Sequence, residues 1–259
     1  MQQKLIERFH KQRFMFEELV KRDFKQKYKR TVLGMGWSVL SPLLHLLVMK
    51  LVFTQFFGRD TPHYTTYLFA GNVVFSFFRE ATTGSIVALI ANAHIFTKIN
   101  VPKYLFLLSK NVSSLINFGI TFVVFLLFAA IDGVTFTPRF LMLIYPLCCL
   151  VLFNLGMGLI LSAMNVFFQD TAYLYEIFVL LLMYMSAIFY RVDAFSRTVQ
   201  RLFLLNPVYC VIRYVRMIVL ESTIPSLAYH LLILGYAAAA LLIGGLIYKK
   251  KNHEFLYYV

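Results

Sequence analysis

Apolar residues fall into six long blocks along the chain, at residues 38–57, 67–91, 104–131, 140–166, 172–190 and 227–248. Each is near the roughly 20 residues that a helix needs to cross a bilayer core. A different pattern precedes them. Phe16, Val20, Phe24 and Tyr28 recur every four residues and, with Leu19, form one broad apolar face on a helix, interrupted by Asp23 and Lys27. Around that face stand Lys21, Arg22, Lys25, Lys27, Lys29 and Arg30 against the single acid Asp23, and the stretch ends near Trp37, the only tryptophan. This pattern predicts a basic, half-apolar helix in a membrane interface, with Trp37, Lys25, Lys27 and Arg30 as anchors to the headgroups. The expected fold is all-α: a polytopic membrane protein with six transmembrane helices. An amphipathic segment over residues 1–37 precedes the six-span domain over 38–259, and short re-entrant helices stand before the last span.

Composition points the same way. Hydrophobic residues make up 60% of the chain, charged residues 14%, and mean hydropathy is +0.72, whereas a soluble domain is about half apolar and a quarter charged. The first 37 residues hold no uninterrupted apolar segment, so no cleavable signal peptide is expected. The net charge of +13 is distributed as a membrane topology requires and does not indicate nucleic-acid binding. With the N-terminus in the cytoplasm, the inner segments carry sixteen Lys and Arg, counting Lys110 near the inner end of the third block, the outer ones seven, and only Lys50 and Arg79 fall deeper inside spans. An even number of spans then puts both termini in the cytoplasm. Cys148 and Cys149, adjacent in an apolar run, and Cys210 offer neither a disulfide framework nor metal-ligand spacing.

Two connections stand out. Residues 191–221 carry five of the seven outer arginines, Arg191, Arg197, Arg201, Arg213 and Arg216, in a stretch too apolar for an exposed loop and too charged for a span. It reads as two short amphipathic helices broken at Asn206-Pro207, because proline disfavours helix at the residue before it. Such segments are re-entrant or lie flat at the outer surface. The arginines either anchor to headgroups or form a gate or anion site, Arg213 and Arg216 sharing a helical face. On the inner side, residues 92–103 can hold one or two helical turns, with Pro102 suited to starting the next helix. Unlike the other inner connection, 165–171, this one is positively charged, which suits docking onto a soluble partner.

Four stretches together resemble the membrane subunits of ABC exporters for cell-surface polysaccharides. They are Lys27-Tyr28-Lys29-Arg30-Thr31-Val32-Leu33-Gly34 with Trp37 and Leu40-Ser41-Pro42; Phe77-Phe78-Arg79-Glu80 with Ser85-Ile86, Asn92, Lys98 and Val101-Pro102; Asn165-Val166-Phe167-Phe168-Gln169-Asp170; and Asn206-Pro207. Val101-Pro102 stands where relatives often have Phe-Pro. The resemblance covers almost the whole chain in order. It implies a permease that exports lipid-linked O-antigen, capsule or teichoic-acid chains from the cytoplasm of a bacterium through its inner membrane. It also implies a second copy of this chain and two copies of a nucleotide-binding protein, with ATP and Mg in that partner and no cofactor here. On this resemblance 92–103 is the coupling helix, with Asn92, Phe96, Lys98, Ile99 and Pro102 toward the ATPase. Phe168, Gln169 and Asp170 form a second contact with it. Residues 195–221, through Arg201, Asn206, Pro207, Arg213 and Arg216, are the outer gate.

Candidate chemistry is sparse. The sequence has no Gly-x-x-x-x-Gly-Lys-Ser/Thr phosphate loop, Gly-x-Ser-x-Gly elbow or His-Glu-x-x-His pair, so neither catalytic nor metal residues are expected and ATP hydrolysis belongs to a partner. Ionisable groups inside spans are costly and face protein or water. Among them, Lys50 and Glu80 fall at similar depths on antiparallel helices and either pair with each other or meet water and carbonyls separately. Tyr173 and Tyr184 share one face of the fifth span, which either lines a path for sugar rings or packs in the ordinary way. Besides a polysaccharide permease, three readings stay open: an ABC permease for another amphipathic substrate such as a lipid or drug, a secondary carrier, and a membrane enzyme. A secondary carrier requires inverted repeats or an acidic relay. An enzyme requires acids or nucleophiles clustered at one membrane face.

Overall fold

A computed structural model describes residues 2–29, 31–57, 62–98 and 101–258, with backbone only for 2–11, 28, 55–57 and 256. Among the described residues every element is helical. In order they are α1 (Gln2–Tyr28), α2 (Trp37–Phe57), α3 (Tyr64–Ile86), α4 (Ala88–Ala91), α5 (Ala93–Phe96), α6 (Tyr104–Ile131), α7 (Ile144–Phe167), α8 (Thr171–Met185), α9 (Arg197–Phe203), α10 (Pro207–Val219) and α11 (Leu227–Lys251). Four stretches are long and apolar enough to cross a membrane: Gly34–Thr54, Tyr104–Ile131, Pro138–Phe167 and Leu227–Lys251. The second and fifth apolar blocks of the sequence also form helices but fall short of that test. α3 carries Asn72, Arg79 and Glu80, and α8 has only 15 residues because its helix stops at Met185.

α3 runs through the middle of the bundle, packed against α2, α6, α7, α8 and α10. Its side chains from Leu68 to Phe75 are all buried. A helix surrounded by protein can carry polar groups that a lipid-facing one cannot, because neighbours satisfy them. α7 and α11 pack closely along most of their length, through glycines: a Cβ on Gly156 would lie 2.4 Å from the Ala240 carbonyl carbon, and one on Gly244 2.7 Å from the Gly156 carbonyl oxygen. Small residues at that crossing let the two backbones touch.

α1 docks on the first half of α6. Leu19 is buried there, with Met15 and Phe16 against the same cluster. Asp23, one of the two residues that interrupt the apolar face, is also a docking group. Its carboxylate, 2% exposed, meets Lys110 Nζ at 3.1 Å and Arg22 Nη2 at 2.9 Å and accepts from Ser109 Oγ at 3.0 Å.

The segment between α8 and α10 departs most from the expectation. The fifth block, read as helix to residue 190, unwinds after Met185, and Ala187 turns back with φ +49°. α9 and α10 meet at 106° across Asn206-Pro207, where Asn206 caps α10 by accepting from the Val208 and Tyr209 amides. α10 does not lie flat at a surface. It inserts between α3, α7 and α11, with Cys210, Ile212, Tyr214 and Val215 fully buried.

Candidate functional site

Three polar stripes meet in one cavity. α2 contributes Ser38, Ser41 and His45, α3 contributes Asn72, Ser76 and Arg79, and α6 contributes Ser114, Asn117 and Thr121. Each trio is spaced by three and four residues, which sets it on a single helical face. α3 packs against both α2 and α6, so the three faces turn onto a common space of ≈ 540 Å³, within the range of small-molecule sites, roughly 300–1,000 Å³. Lys27, Thr31 and Trp37 border it from the α1 side; Phe75, Phe77, Phe118 and Met183 supply apolar wall. The stripes were present in the sequence at helical spacing, but reading each apolar block as uniform hid them.

Glu80 sits at the edge of this cavity and pairs with Lys27, not with Lys50. Lys27 Nζ lies 2.8 Å from Glu80 Oε2, and Asn117 Nδ2 donates to the same oxygen at 2.9 Å. Lys27 is therefore the second residue interrupting the α1 face that serves as a docking group. Lys50 is exposed and does not line the cavity. Trp37 and Lys25 are exposed; Arg30 lies outside the described residues. Tyr173 and Tyr184 are also exposed and do not line this cavity, because α8 packs inward through Thr171, Tyr175 and Val179.

At the opposite end, Arg216 does not face outward. Its guanidinium is buried and holds the unwound chain after α8, donating to Ala187 O at 2.9 Å, Ile188 O at 2.9 Å and Tyr67 O at 3.1 Å, 3.4 Å above the Tyr67 ring. Asn206 Nδ2 takes Met185 O, Tyr64 OH takes Phe189 O and Tyr67 OH takes Tyr190 O. Carbonyls freed by unwinding in an apolar setting must find donors, and side chains of α3 and α10 supply them. Arg213, half-buried, does line a second cavity of ≈ 370 Å³ with Arg191, His63, Tyr209, Asp193 and Glu221, and Arg201 is exposed. Of the residues expected to form a gate for anions, Arg216 is thus committed to structure, although its edge borders that cavity. Asn206 and Pro207 shape the break.

The connections at the α1 end divide likewise. Asn92 is buried and donates to Ala88 O, and Phe96 is buried against Phe106, with the Lys103 ammonium 5.7 Å from its ring. Those two are therefore interior residues and not apolar contacts for a partner. Lys103 also donates to Asn252 O and lies over Phe255, and burial lowers its pKa. Lys98 is exposed, Pro102 half-buried, and Ile99 lies outside the described residues. Phe168, Gln169 and Asp170 are all exposed, Phe168 at 72%. Among the described residues no three His, Cys, Asp or Glu side chains gather as metal ligands.

Comparison with known proteins gives the family of the chain. The ABC-2 type transporter family model matches residues 15–220. An O-antigen export system permease protein RfbA of Klebsiella pneumoniae is 28% identical over 248 residues, covering 93% of this chain and 95% of that protein. One of Myxococcus xanthus is 23% identical over 256 residues, 97% of this chain and 98% of that protein. The polysialic acid transport protein KpsM of Escherichia coli is 22% identical over 255 residues, 96% and 97% respectively. A match spanning both the α2–α3–α6 cavity and the broken α9–α10 pair covers the features that set this bundle apart, and the chain belongs to the ABC-2 type transporter family.

Proposed function

We propose that this chain is the permease subunit of an ABC exporter that moves a lipid-linked, cell-surface polysaccharide across the bacterial inner membrane. The observation that carries this reading is the cavity lined by three polar helical stripes inside an otherwise apolar bundle. Hydroxyls, amides and aromatic walls suit sugar rings, and the relatives are named for O-antigen and polysialic acid transport. In this reading α3 and α8 cross the membrane with the four long apolar helices, giving six spans and both termini in the cytoplasm. Two copies of the chain enclose the path, with the exposed face of α8, Tyr173 and Tyr184 included, turned to the partner copy.

ATP and Mg act in a separate nucleotide-binding protein, two copies per exporter. Lys98, Phe168, Gln169 and Asp170, exposed at the α1 end, form its docking surface. α9, the Asn206-Pro207 break and Arg213 form the outer gate, on a hinge that Arg216 holds together. The test is deletion of the gene and complementation. Loss of surface polysaccharide, with lipid-linked polymer accumulating in the cytoplasm, is expected; unchanged surface polymer without that accumulation refutes the reading.

A further inference from the structure

The charges of the α2–α3–α6 cavity do not balance. Its ionised residues are Lys27, Arg79 and Glu80. Glu80 is occupied by Lys27 and Asn117 on the same oxygen. Among the described residues the Arg79 guanidinium, one position earlier on α3, has neither an ion-pair nor a hydrogen-bond partner; only its backbone carbonyl is engaged, by Thr82 and Thr83. His45, Ser41 and Ser38 on α2 and Ser76 on α3 line the same cavity. They offer hydroxyl and imidazole donors around the unpaired cation, and among the described residues no second carboxylate lines the wall to neutralise it. Arg79 is exposed to the cavity side of the bundle, and an unpaired guanidinium on apolar helices is costly unless it meets water or an anion. Its planar fork matches two oxygens of a phosphate.

We propose that Arg79, with His45, Ser41 and Ser76, forms a binding site for a phosphate or pyrophosphate group carried on a lipid. This deepens the exporter reading and rests on it for the identity of the lipid: a polysaccharide carrier lipid bears its phosphate where the glycan is joined. The Lys27–Glu80 pair holds the end of α1 against the cavity edge, beside Trp37. The site is therefore bordered by the segment whose composition best suits a lipid surface. The unpaired charge selects the anionic group, and the serine hydroxyls and Asn72 leave the neighbouring wall suited to sugar.

The test uses the purified full-length permease in nanodiscs of neutral lipid, titrated by calorimetry with geranyl pyrophosphate, geraniol, inorganic pyrophosphate and phosphatidylglycerol. Wild type is expected to bind geranyl pyrophosphate and not geraniol. Arg79→Gln is expected to weaken that binding about tenfold or more and Arg79→Lys by a smaller factor, since lysine keeps the charge but not the fork. Unchanged melting temperature certifies the variants as folded, as expected for a side chain without partners. Inorganic pyrophosphate binding as tightly as geranyl pyrophosphate overturns the lipid part of the proposal, and phosphatidylglycerol binding as tightly assigns the site to host lipid and overturns it also. Geraniol binding equal to geranyl pyrophosphate, or Arg79→Gln binding like wild type, overturns the site itself. If the site fails while gene deletion still abolishes surface polysaccharide, the exporter reading stands. If binding depends on Arg79 but deletion leaves the surface polymer intact, the exporter reading fails and the anion site stands.

Discussion

Replacing Gly71 with alanine should change the sign of its effect according to what stands at residue 216. Gly71 lies inside α3, where alanine normally stabilises a helix by about 1 kcal/mol over glycine. Here an added Cβ would lie 2.7 Å from Arg216 Nη2 and 3.3 Å from Ile188 Cγ2. The guanidinium would have to move off carbonyls it now meets at 2.9–3.2 Å. A hydrogen bond to a charged group contributes roughly 1.5–3 kcal/mol and overpacking costs about 1–3 kcal/mol. Even partial displacement therefore exceeds the helix gain, and G71A should destabilise the wild type by about 1–2 kcal/mol. R216A removes the obstacle but leaves the Ala187 and Ile188 carbonyls bare, at about 1–3 kcal/mol each. In that background G71A should be neutral or stabilising. The cycle therefore departs from additivity by about 1–3 kcal/mol, as expected for residues in direct contact. The assay is detergent melting of the four proteins, with membrane abundance as a second readout where a variant is too unstable to melt. Equal effects of G71A in both backgrounds, or stabilisation of the wild type, would refute the claim that Arg216 holds the unwound segment from beside Gly71.

Three further outcomes follow from the packing. Asp23→Asn should undock α1 from α6, since breaking a buried ion pair costs about 3–5 kcal/mol; faster tryptic cleavage within residues 12–29 is the readout, and an unchanged rate contradicts the docking. Gly156→Ala should cost about 1–3 kcal/mol or more, because its Cβ meets the α11 backbone, whereas Gly245→Ala, with open space around it, should melt at or above wild type. Phe168→Asp should leave abundance intact and lower ATPase stimulation in the assembled complex; Phe96→Asp should instead deplete the protein from the membrane, because its carboxylate would be buried. Equal abundance of these two variants would argue against the burial assignments.

Much of this protein was legible as one-dimensional pattern. Hydrophobic block length and the distribution of lysine and arginine indicate a helical membrane protein, and the Asn206-Pro207 break stands where proline chemistry puts it. Helical periodicity also marked the apolar face of α1, down to the two charges that interrupt it. Tertiary structure decided what those charges meet: Asp23 goes to Lys110 and Lys27 to Glu80, partners more than fifty residues away on other helices. It likewise decided that Arg216 points inward while Arg213, three residues earlier on the same side, borders a cavity. Helix spacing says which residues share a face, but not what that face is pressed against. The end of α8 was hidden for the same reason. Residues 186–190 are as apolar as those before them, and nothing local stops the helix. It stops because donors on α3 and α10 offer its carbonyls an alternative to the helical bond, and only the folded bundle brings those donors within reach.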